Sequence, residues 1–397
     1  MIPFSPPDIT EEEIKEVSDT MRSGWITTGP RTKKLEKNLA MYCGTPKVCC
    51  FNSATSSLEL ALRILGIGPG DEVITSAYTY TASCSVICHV GATPILVDVS
   101  PNSYQIDLEK VEKAITSKTK AIIPVDIAGT MCDYDKLFDI VNKKTSLFTP
   151  NTDIQKDFNR IAIIADGAHA LGSSYKGKMC GSIADFTTFS FHAVKNFTTA
   201  EGGALTWKEN SVIDSDDIYK ELQLLSLHGQ SKDALAKTKL GAWEYDIIYP
   251  AYKCNMTDIM AAMGLVQLKR YTSLLQRRRE IVKMYEDGLK DLPIEIISHE
   301  TDLYNSSRHL MLTRIDGFSE SQRNEFIIKM AEVGVSTNVH YKPLPMHTAY
   351  KNLGFKIEDY PNSYNQYKNE VTLPLHTLLS DDDVMFIIDS YKKCLVR

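Results

Sequence analysis

Several features that mark whole classes of protein are missing from this sequence. No apolar run reaches the roughly 18–20 residues that a membrane-spanning helix needs. Residues 1–13 contain no basic segment followed by an apolar one, so we expect no signal peptide. The 397 residues carry a net charge of −6, and this lack of excess positive charge argues against a general nucleic-acid-binding protein.

Cysteine spacings typical of metal or redox sites are also missing. The nine cysteines are scattered, and none forms a CxxC pair or a zinc-binding pattern. We therefore expect reduced thiols, no metal site and a cytoplasmic protein. The remaining composition, 43% hydrophobic and 24% charged, is ordinary for a globular protein.

The chain is long enough for two domains. Over the first 240 residues, short apolar runs alternate with helical patterns, which predicts an α/β fold with a mostly parallel sheet between helices. Strands are predicted at 47–51, 72–76, 93–99, 120–125, 161–165 and 186–191. Helices are predicted at 10–24, where Thr10 and Glu13 form a capping box, and at 55–66, 79–91, 107–116 and 133–143.

The domain boundary is predicted near residue 250. Residues 1–250 would form the large domain, with a surface insertion at 144–160 that is long for a helix-to-strand connection. Residues 251–397 would form a smaller α+β domain that begins with a long linking helix, 255–289. The basic run 277–279 within that helix is predicted to be a solvated face.

Lys195 is the main catalytic candidate. It lies between two apolar runs, with Ser190 five residues before it, the Glu-Gly-Gly of 201–203 after it, and Asp166 29 residues upstream. Lysine, aspartate and serine are the residues that pyridoxal phosphate (PLP) requires, for its aldehyde, ring nitrogen and phosphate respectively. The flanking apolar residues, Phe189, Phe191, Val194 and Phe197, would desolvate the amine and lower its pKa. The alternative is a solvated surface lysine.

Asp166 ends a predicted buried strand, where a carboxylate could pair with a protonated ring nitrogen or merely cap the next helix. His169 follows three residues later and could contact the ring hydroxyl or be a core histidine. Asn52, Asp166 and Ser190 all lie at or just past predicted strand ends, the edge at which such sheets bind ligands.

Further candidates surround these residues. Ala54 and Thr55 open a predicted helix, and with Ser190 they would form a phosphate site, although any helix N-terminus can look alike. Tyr80 follows a strand and could stack on a pyridine ring or belong to the core. Trp25 and Thr27 lie in a hydroxyl-rich loop that could contact the substrate or be a plain turn. His340 and Tyr341 lie in a proline-stiffened loop that could contact the substrate or only connect the domains.

An ordered set of motifs resembles the DegT/StrS family of nucleotide-sugar aminotransferases. The motifs cover nearly the whole chain and lie at 23–30, 52–55, 68–74, 166–169, 190–195, 200–203 and 252–258. The resemblance implies a fold-type-I PLP enzyme with a seven-stranded sheet and a homodimer with shared active sites. By position it makes Lys195 the cofactor-linked lysine and Asp166 the ring partner. It also implies that Asn255 reaches the phosphate of the partner subunit's cofactor.

The resemblance is greatest to members that aminate UDP-4-keto sugars, although the 144–160 insertion and the 340–347 loop depart from them. The function implied is transfer of an amino group from L-glutamate to the C-4 keto group of a nucleotide-linked sugar. Three alternatives stay open: amination at C-3 or of a non-nucleotide carbonyl such as a cyclitol, a sugar dehydratase, and a non-enzymatic relative. Related dehydratases have histidine at the position of Lys195, and the intact Lys195–Asp166–Ser190 set disfavours a non-enzymatic protein.

Overall fold

The computed structural model describes residues 1–209, 213–231 and 244–395. Its strands are β1 (Val48–Phe51), β2 (Glu72–Ser76), β3 (Thr93–Val97), β4 (Thr119–Ile123), β5 (Ala162–Asp166), β6 (Ser174–Tyr175), β7 (Lys178–Met179), β8 (Phe186–Ser190), β9 (Gly203–Trp207), β10 (Ile294–Ile296), β11 (Tyr304–Asn305), β12 (Met311–Ile315) and β13 (Glu370–Leu373).

The α-helices alternate with these strands along most of the chain. They are α1 (Glu11–Arg22), α2 (Pro30–Cys43), α3 (Ala54–Ile64), α4 (Ala82–His89), α5 (Leu108–Ala114), α6 (Tyr134–Lys143), α7 (Asp153–Phe158), α8 (Ser215–Ser226), α9 (Asp258–Leu289), α10 (Glu320–Glu332), α11 (Thr348–Asn352), α12 (Pro361–Tyr367) and α13 (Asp381–Leu395). The predicted capping box opens α1, where Thr10 and Glu13 satisfy each other's backbone N–H groups.

The large sheet has seven strands in the order β1-β9-β8-β5-β4-β2-β3. Pairing is parallel from β8 to β3, whereas β9 runs antiparallel to both of its neighbours. The predicted α/β fold is therefore confirmed. The sequence pattern missed β9, because its five residues follow a Glu-Gly-Gly turn and look like a continuation of the loop.

Helices cover both faces of this sheet. Along β5, Ile163 packs into one hydrophobic cluster, while Ala162 and Ile164 pack into another on the opposite face. All five β5 residues are buried, as a central parallel strand requires. This burial explains why the strand is a nearly continuous apolar run that ends in one carboxylate, Asp166.

The 144–160 segment contains a short 3₁₀ helix at Thr145–Leu147 and the helix α7. It is not purely superficial, because the buried Gln155 donates from Nε2 to the carbonyl oxygens of Leu65 and Gly66 at 3.2 Å each. The C-terminal part pairs β10, β12 and β13 into an antiparallel sheet with α9, α10 and α13 around a cluster of its own. The boundary at residue 250 stays a prediction.

The prediction that residues 277–279 are a solvated face is wrong for Arg278. Its guanidinium is buried and donates from Nη1 to the carbonyl oxygens of Arg308, His309 and Leu375, at 3.2, 3.4 and 2.9 Å. Of these three arginines, only Arg279 is exposed, while Arg277 is half-buried. Within the described ranges, no helix combines the length and apolar character needed to cross a membrane.

Candidate active site

A cavity of about 430 Å³ opens at the carboxyl ends of β1, β5 and β8. This position is where ligands bind in parallel α/β sheets. Nine of the predicted site residues line the cavity: Ala54, Thr55, Tyr80, Asp166, His169, Ser190, Lys195, His340 and Tyr341. Residues more than 280 positions apart in the sequence thus meet in one place.

The Lys195 side chain is half-buried in the wall of this cavity. Burial lowers the pKa of Lys195 to about 8, and the nearby Asp166 carboxylate partly opposes that shift. An appreciable share of the amine is therefore neutral near pH 7, which is the form that attacks an aldehyde. Of the flanking apolar residues, Val194 lines the cavity, whereas Phe191 and Phe197 are buried in the core, where they pack against each other.

Asp166, the last residue of β5, is buried, 5% exposed, beside the cavity. Its Oδ2 accepts a hydrogen bond from Ser83 Oγ at 2.6 Å, and its Oδ1 accepts one from the Ala168 N–H at 3.2 Å. Burial raises the pKa of Asp166, while these hydrogen bonds and the charge of Lys195 oppose the rise. A cationic group in the cavity would keep this carboxylate ionised, so a protonated ring nitrogen suits it.

His169 is held in one tautomer. The Ala128 N–H donates to its Nδ1 at 3.2 Å, and burial together with the charges of Lys195 and His340 lowers the pKa of His169 well below its ordinary value. The neutral ring therefore carries its proton on Nε2, which lies 3.1 Å from the hydroxyl oxygen of Tyr341. If Nε2 donates there, the Tyr341 hydroxyl keeps its own proton to donate into the cavity.

The N-terminus of α3 forms the anion-binding end of the cavity. Ser53 caps this helix, with its Oγ accepting from the Ser56 N–H at 3.1 Å, and the cavity wall next to it is formed by Ala54 and Thr55. Positive partial charge at a helix N-terminus favours a phosphate. Gly203 packs so closely here that a Cβ atom would lie 2.3 Å from Ala54 N, which explains the glycine in the Glu-Gly-Gly motif.

Two aromatic side chains face each other across the cavity opening. Tyr80 is 61% exposed, and its ring centroid lies 6.1 Å from that of Tyr341. His340 is fixed from the small sheet, because its N–H donates to the Glu370 carboxylate at 2.8 Å and its Nδ1 lies 2.9 Å from Thr372 Oγ1. Stacking by Tyr80 and sugar binding by His340 stay predictions.

Three predicted residues do not line this cavity in the single chain: Trp25, Thr27 and Asn255. They cluster together instead. Asn255 donates from Nδ2 to Thr28 Oγ1 at 2.6 Å, and the indole N–H of Trp25 donates to the Thr28 carbonyl oxygen at 3.3 Å. Asp258 anchors the loop by accepting from the Gly29 N–H at 2.9 Å.

Sequence reasoning missed residues that contact the predicted ones, including His309, which itself lines the cavity. Ser83 is one, since its hydroxyl contacts both Asp166 and Thr79. Asn196 and His309 are others, and they lie 2.9 Å apart between Oδ1 and Nδ1. Asn196 carried a local signal, its place next to Lys195, whereas Ser83 and His309 gain meaning only from tertiary contacts.

Pyridoxal phosphate fits this constellation. Lys195 provides an amine of low pKa for the aldehyde, Asp166 a buried carboxylate for the ring nitrogen, and the start of α3 donors for the phosphate. The fold and the site together define a PLP-dependent aminotransferase.

Comparison with known proteins gives the same class. The chain belongs to the DegT/DnrJ/EryC1/StrS aminotransferase family, whose model matches residues 7–392. The Bacillus subtilis spore coat polysaccharide biosynthesis protein SpsC is 39% identical over 395 residues, which cover 98% of this chain and 96% of SpsC. The predicted family, enzyme class and cofactor are confirmed.

Solved structures agree in fold and length. Spr1654 from Streptococcus pneumoniae, provisionally described as a sugar aminotransferase, is 62% identical in its PMP form, with a TM-score of 0.98 and coverage of 100% of this chain and 99% of that one. Its PLP form is 60% identical, with a TM-score of 0.96 and coverage of 100% and 98%. Helicobacter pylori PseC, an aminotransferase involved in pseudoaminic acid biosynthesis, is 28% identical with a TM-score of 0.87, covering 99% of each chain.

Proposed function

We propose that this protein transfers an amino group from L-glutamate to the C-4 keto group of a nucleotide-linked, UDP-type sugar in the synthesis of a cell-surface glycan. The observation that carries the reaction type is the meeting of Lys195, Asp166 and the α3 N-terminus in one cavity. The description of Spr1654 and the polysaccharide role in the name of SpsC support a sugar as the acceptor. The nucleotide, the C-4 position and the glutamate donor rest on the motif resemblance.

Bound in this cavity, PLP supplies an aldehyde that links to amines and a ring that withdraws electrons from the attached carbon. Lys195 would hold the cofactor through its Nζ, and the amine of the donor would take its place. The released Nζ, whose neutral share is increased because burial lowers the pKa of Lys195 to about 8, would accept the proton from the donor Cα and return it on the cofactor side. The same amine reverses these steps for the keto sugar.

Other side chains hold charge and orientation in this scheme. Asp166, fixed by the hydrogen bond from Ser83, would keep the ring nitrogen of a bound cofactor protonated. His169 donates from Nε2 to the Tyr341 hydroxyl, which leaves the Tyr341 proton free to be donated to the substrate or the cofactor. Ala54, Thr55 and Ser190 would hold the phosphate and His340 would contact the sugar, which is supported by their places in the cavity wall.

A homodimer completes the proposed site. Asn255, Trp25 and Thr27 lie together outside the cavity of their own chain, as expected for residues that serve the partner's site. Exposed apolar side chains on and beside α1, namely Ile9, Ile14, Met21 and Ile26, offer a surface for the second copy.

The absorption spectrum of the purified protein tests this function. Addition of excess L-glutamate should bleach the visible band of the lysine-linked cofactor, and a UDP-4-keto sugar should restore it. dTDP-linked and 3-keto sugars, free sugars and a cyclitol ketone serve as matched competitors. A band that glutamate leaves unchanged would contradict the donor, and recovery by a free sugar or a 3-keto sugar alone would contradict the proposed acceptor.

A further inference from the structure

Asn196, the residue after Lys195, binds one short segment of the C-terminal part of the chain, residues 306–309. Its Nδ2 donates to the Ser307 carbonyl oxygen at 2.8 Å, and its Oδ1 lies 2.9 Å from His309 Nδ1. A carbonyl oxygen only accepts, so the contact with Ser307 fixes the direction of the Asn196 amide. Oδ1 is then the acceptor, and His309 must donate from Nδ1.

His309 is suited to hold this bond permanently. The side chain is buried, and its ring centroid lies 4.3 Å from that of His169. Burial, with the charges of His169 and Lys195, lowers the pKa of His309 well below its ordinary value. The ring is therefore neutral, and its single proton is committed to Asn196.

The 306–309 segment is itself fixed from several sides. The Ser307 N–H donates to Ser173 Oγ at 2.8 Å, and the His309 N–H donates to the Ala128 carbonyl oxygen at 3.0 Å. A Cβ atom on Gly129 would lie 2.1 Å from Ser307 Oγ, so a glycine is needed for this approach. From α9, Arg278 donates to the carbonyl oxygens on the other side of the segment.

We propose that His309, acting through Asn196, is a positioning residue that sets the location of the Lys195 amine relative to the cofactor. A lysine side chain has four flexible carbons, so its amine is placed accurately only if the backbone at its base is held. The loop between β8 and β9 carries Lys195, and the 306–309 segment clamps it at the next residue. The inference rests on the PLP chemistry of the proposed function but not on the identity of donor or sugar.

The test measures how fast the apoprotein captures PLP, followed by the absorbance of the lysine-linked cofactor after rapid mixing. His309→Phe keeps the aromatic contact with His169 but removes the donor, and Asn196→Ala removes the acceptor. Each change should slow capture about 10- to 100-fold, the scale expected when a reacting group moves by roughly 1 Å. His309→Asn, which can still donate to Asn196, should stay within about 3-fold of wild type.

The double variant makes the test specific to this pair. Asn196→Ala also removes the bond to Ser307, so if His309 acts only through Asn196, the double variant should be no slower than Asn196→Ala alone, whereas independent effects would multiply. Thermal unfolding of each variant checks that the fold is kept. In the loaded enzyme, kcat should fall while KM for the donor changes by less than about 3-fold, since ground-state binding is untouched.

Wild-type capture rates in His309→Phe, or rate losses that multiply in the double variant, would overturn the positioning role. So would a His309→Asn variant as slow as His309→Phe. Failure of the wild-type protein to aminate any sugar would refute the proposed acceptor and leave this result intact, because capture requires only the lysine and PLP.

Discussion

Lys195 differs from a surface lysine because protein surrounds its amine, and this difference predicts a pH profile. With the pKa lowered to about 8 by burial, the neutral amine becomes dominant above that pH. The rate of PLP capture by the apoprotein should therefore rise with pH and level off above about 8. N-acetyl-lysine amide, the control, should keep accelerating toward about pH 10.4. A profile for the protein that parallels the control would contradict the desolvated environment.

Replacement of Lys195 separates the role of the site in binding the cofactor from the role of Lys195 in the reaction. Lys195→Ala should bind PLP without a covalent link, because Asp166, Ser190 and the α3 N-terminus remain. Transamination should fall by at least about 10³-fold, since one amine serves as covalent anchor and as base. Steady-state turnover and borohydride trapping measure the two effects. Lys178→Ala, on the exposed strand β7, is the matched control and should keep full turnover; near-wild-type turnover of Lys195→Ala would refute the assignment.

For single residues, the sequence was most informative where several reactive groups lie close to one motif. Lys195, Asp166 and Ser190 could be predicted because they follow strands and each carries a distinctive functional group. Ser83 and His309 could not, since a helix serine and a lone histidine have no local signal. Their roles arise from contacts with Asp166 and Asn196, which are 83 and 113 residues away.

Among the structural elements, β9 and α3 depend on each other through one glycine. A Cβ atom on Gly203 would lie 2.3 Å from Ala54 N and from Ser53 C, both backbone atoms. Gly203→Ala should therefore lower the free energy of unfolding by about 1–3 kcal/mol. It should also weaken PLP binding, because the start of α3 must shift.

The control for this change is Gly68→Ala, where the nearest atom to the added Cβ, Val90 O, lies at an ordinary 3.6 Å. Denaturant titration and PLP titration measure both variants. Equal stability of the two variants would contradict the close approach of β9 to α3.

A second prediction for a structural element concerns the buried arginine of helix α9. Arg278 lies on the buried stripe of the helix, in helical register with Leu274, Leu275 and Val282. Arg278→Met should leave three carbonyl oxygens without a donor and cost about 3 kcal/mol. The neighbouring Arg279→Met, on the exposed face, should change stability by less than about 0.5 kcal/mol. Chemical denaturation compares the pair, and similar losses would contradict a specific role for Arg278.

The buried stripe of α9 also contains a sequence signal for the burial of Arg278. A run of three arginines suggests a solvated surface, but the 3.6-residue period of the surrounding apolar positions points the middle one inward. Buried arginine is rare unless it is paired, and the carbonyls that accept from Arg278 Nη1 belong to residues 308, 309 and 375, whereas its buried Nε has no partner among the described residues. Such partners are not visible along the sequence.

For the molecule as a whole, the strand order also includes one part that the sequence pattern predicts and one part that it does not. The alternation of strands and helices predicts a mostly parallel sheet, because crossover helices leave few other arrangements. It does not predict that β9 inserts antiparallel between β1 and β8. That insertion brings the Glu-Gly-Gly turn and the α3 N-terminus together, so the anion-binding end of the cavity depends on the one strand that the pattern missed.

The proposed sharing of each site between two subunits makes a prediction about mixtures of variants. Lys195→Ala and Asn255→Leu should each be impaired, but co-expression should restore about a quarter of the wild-type activity. Half of the dimers are hybrids, and one of the two sites in each hybrid then has an intact Lys195 and an intact Asn255 from the other chain. Lys195→Ala mixed with Asp166→Asn is the control, because both residues line the same cavity of one chain and no intact site can form. In tagged, purified hybrids the restored turnover should be about half of wild type. No restoration in the Asn255 mixture would place Asn255 in the site of its own chain, and restoration in the control would contradict the meeting of Lys195 and Asp166 in one chain's site.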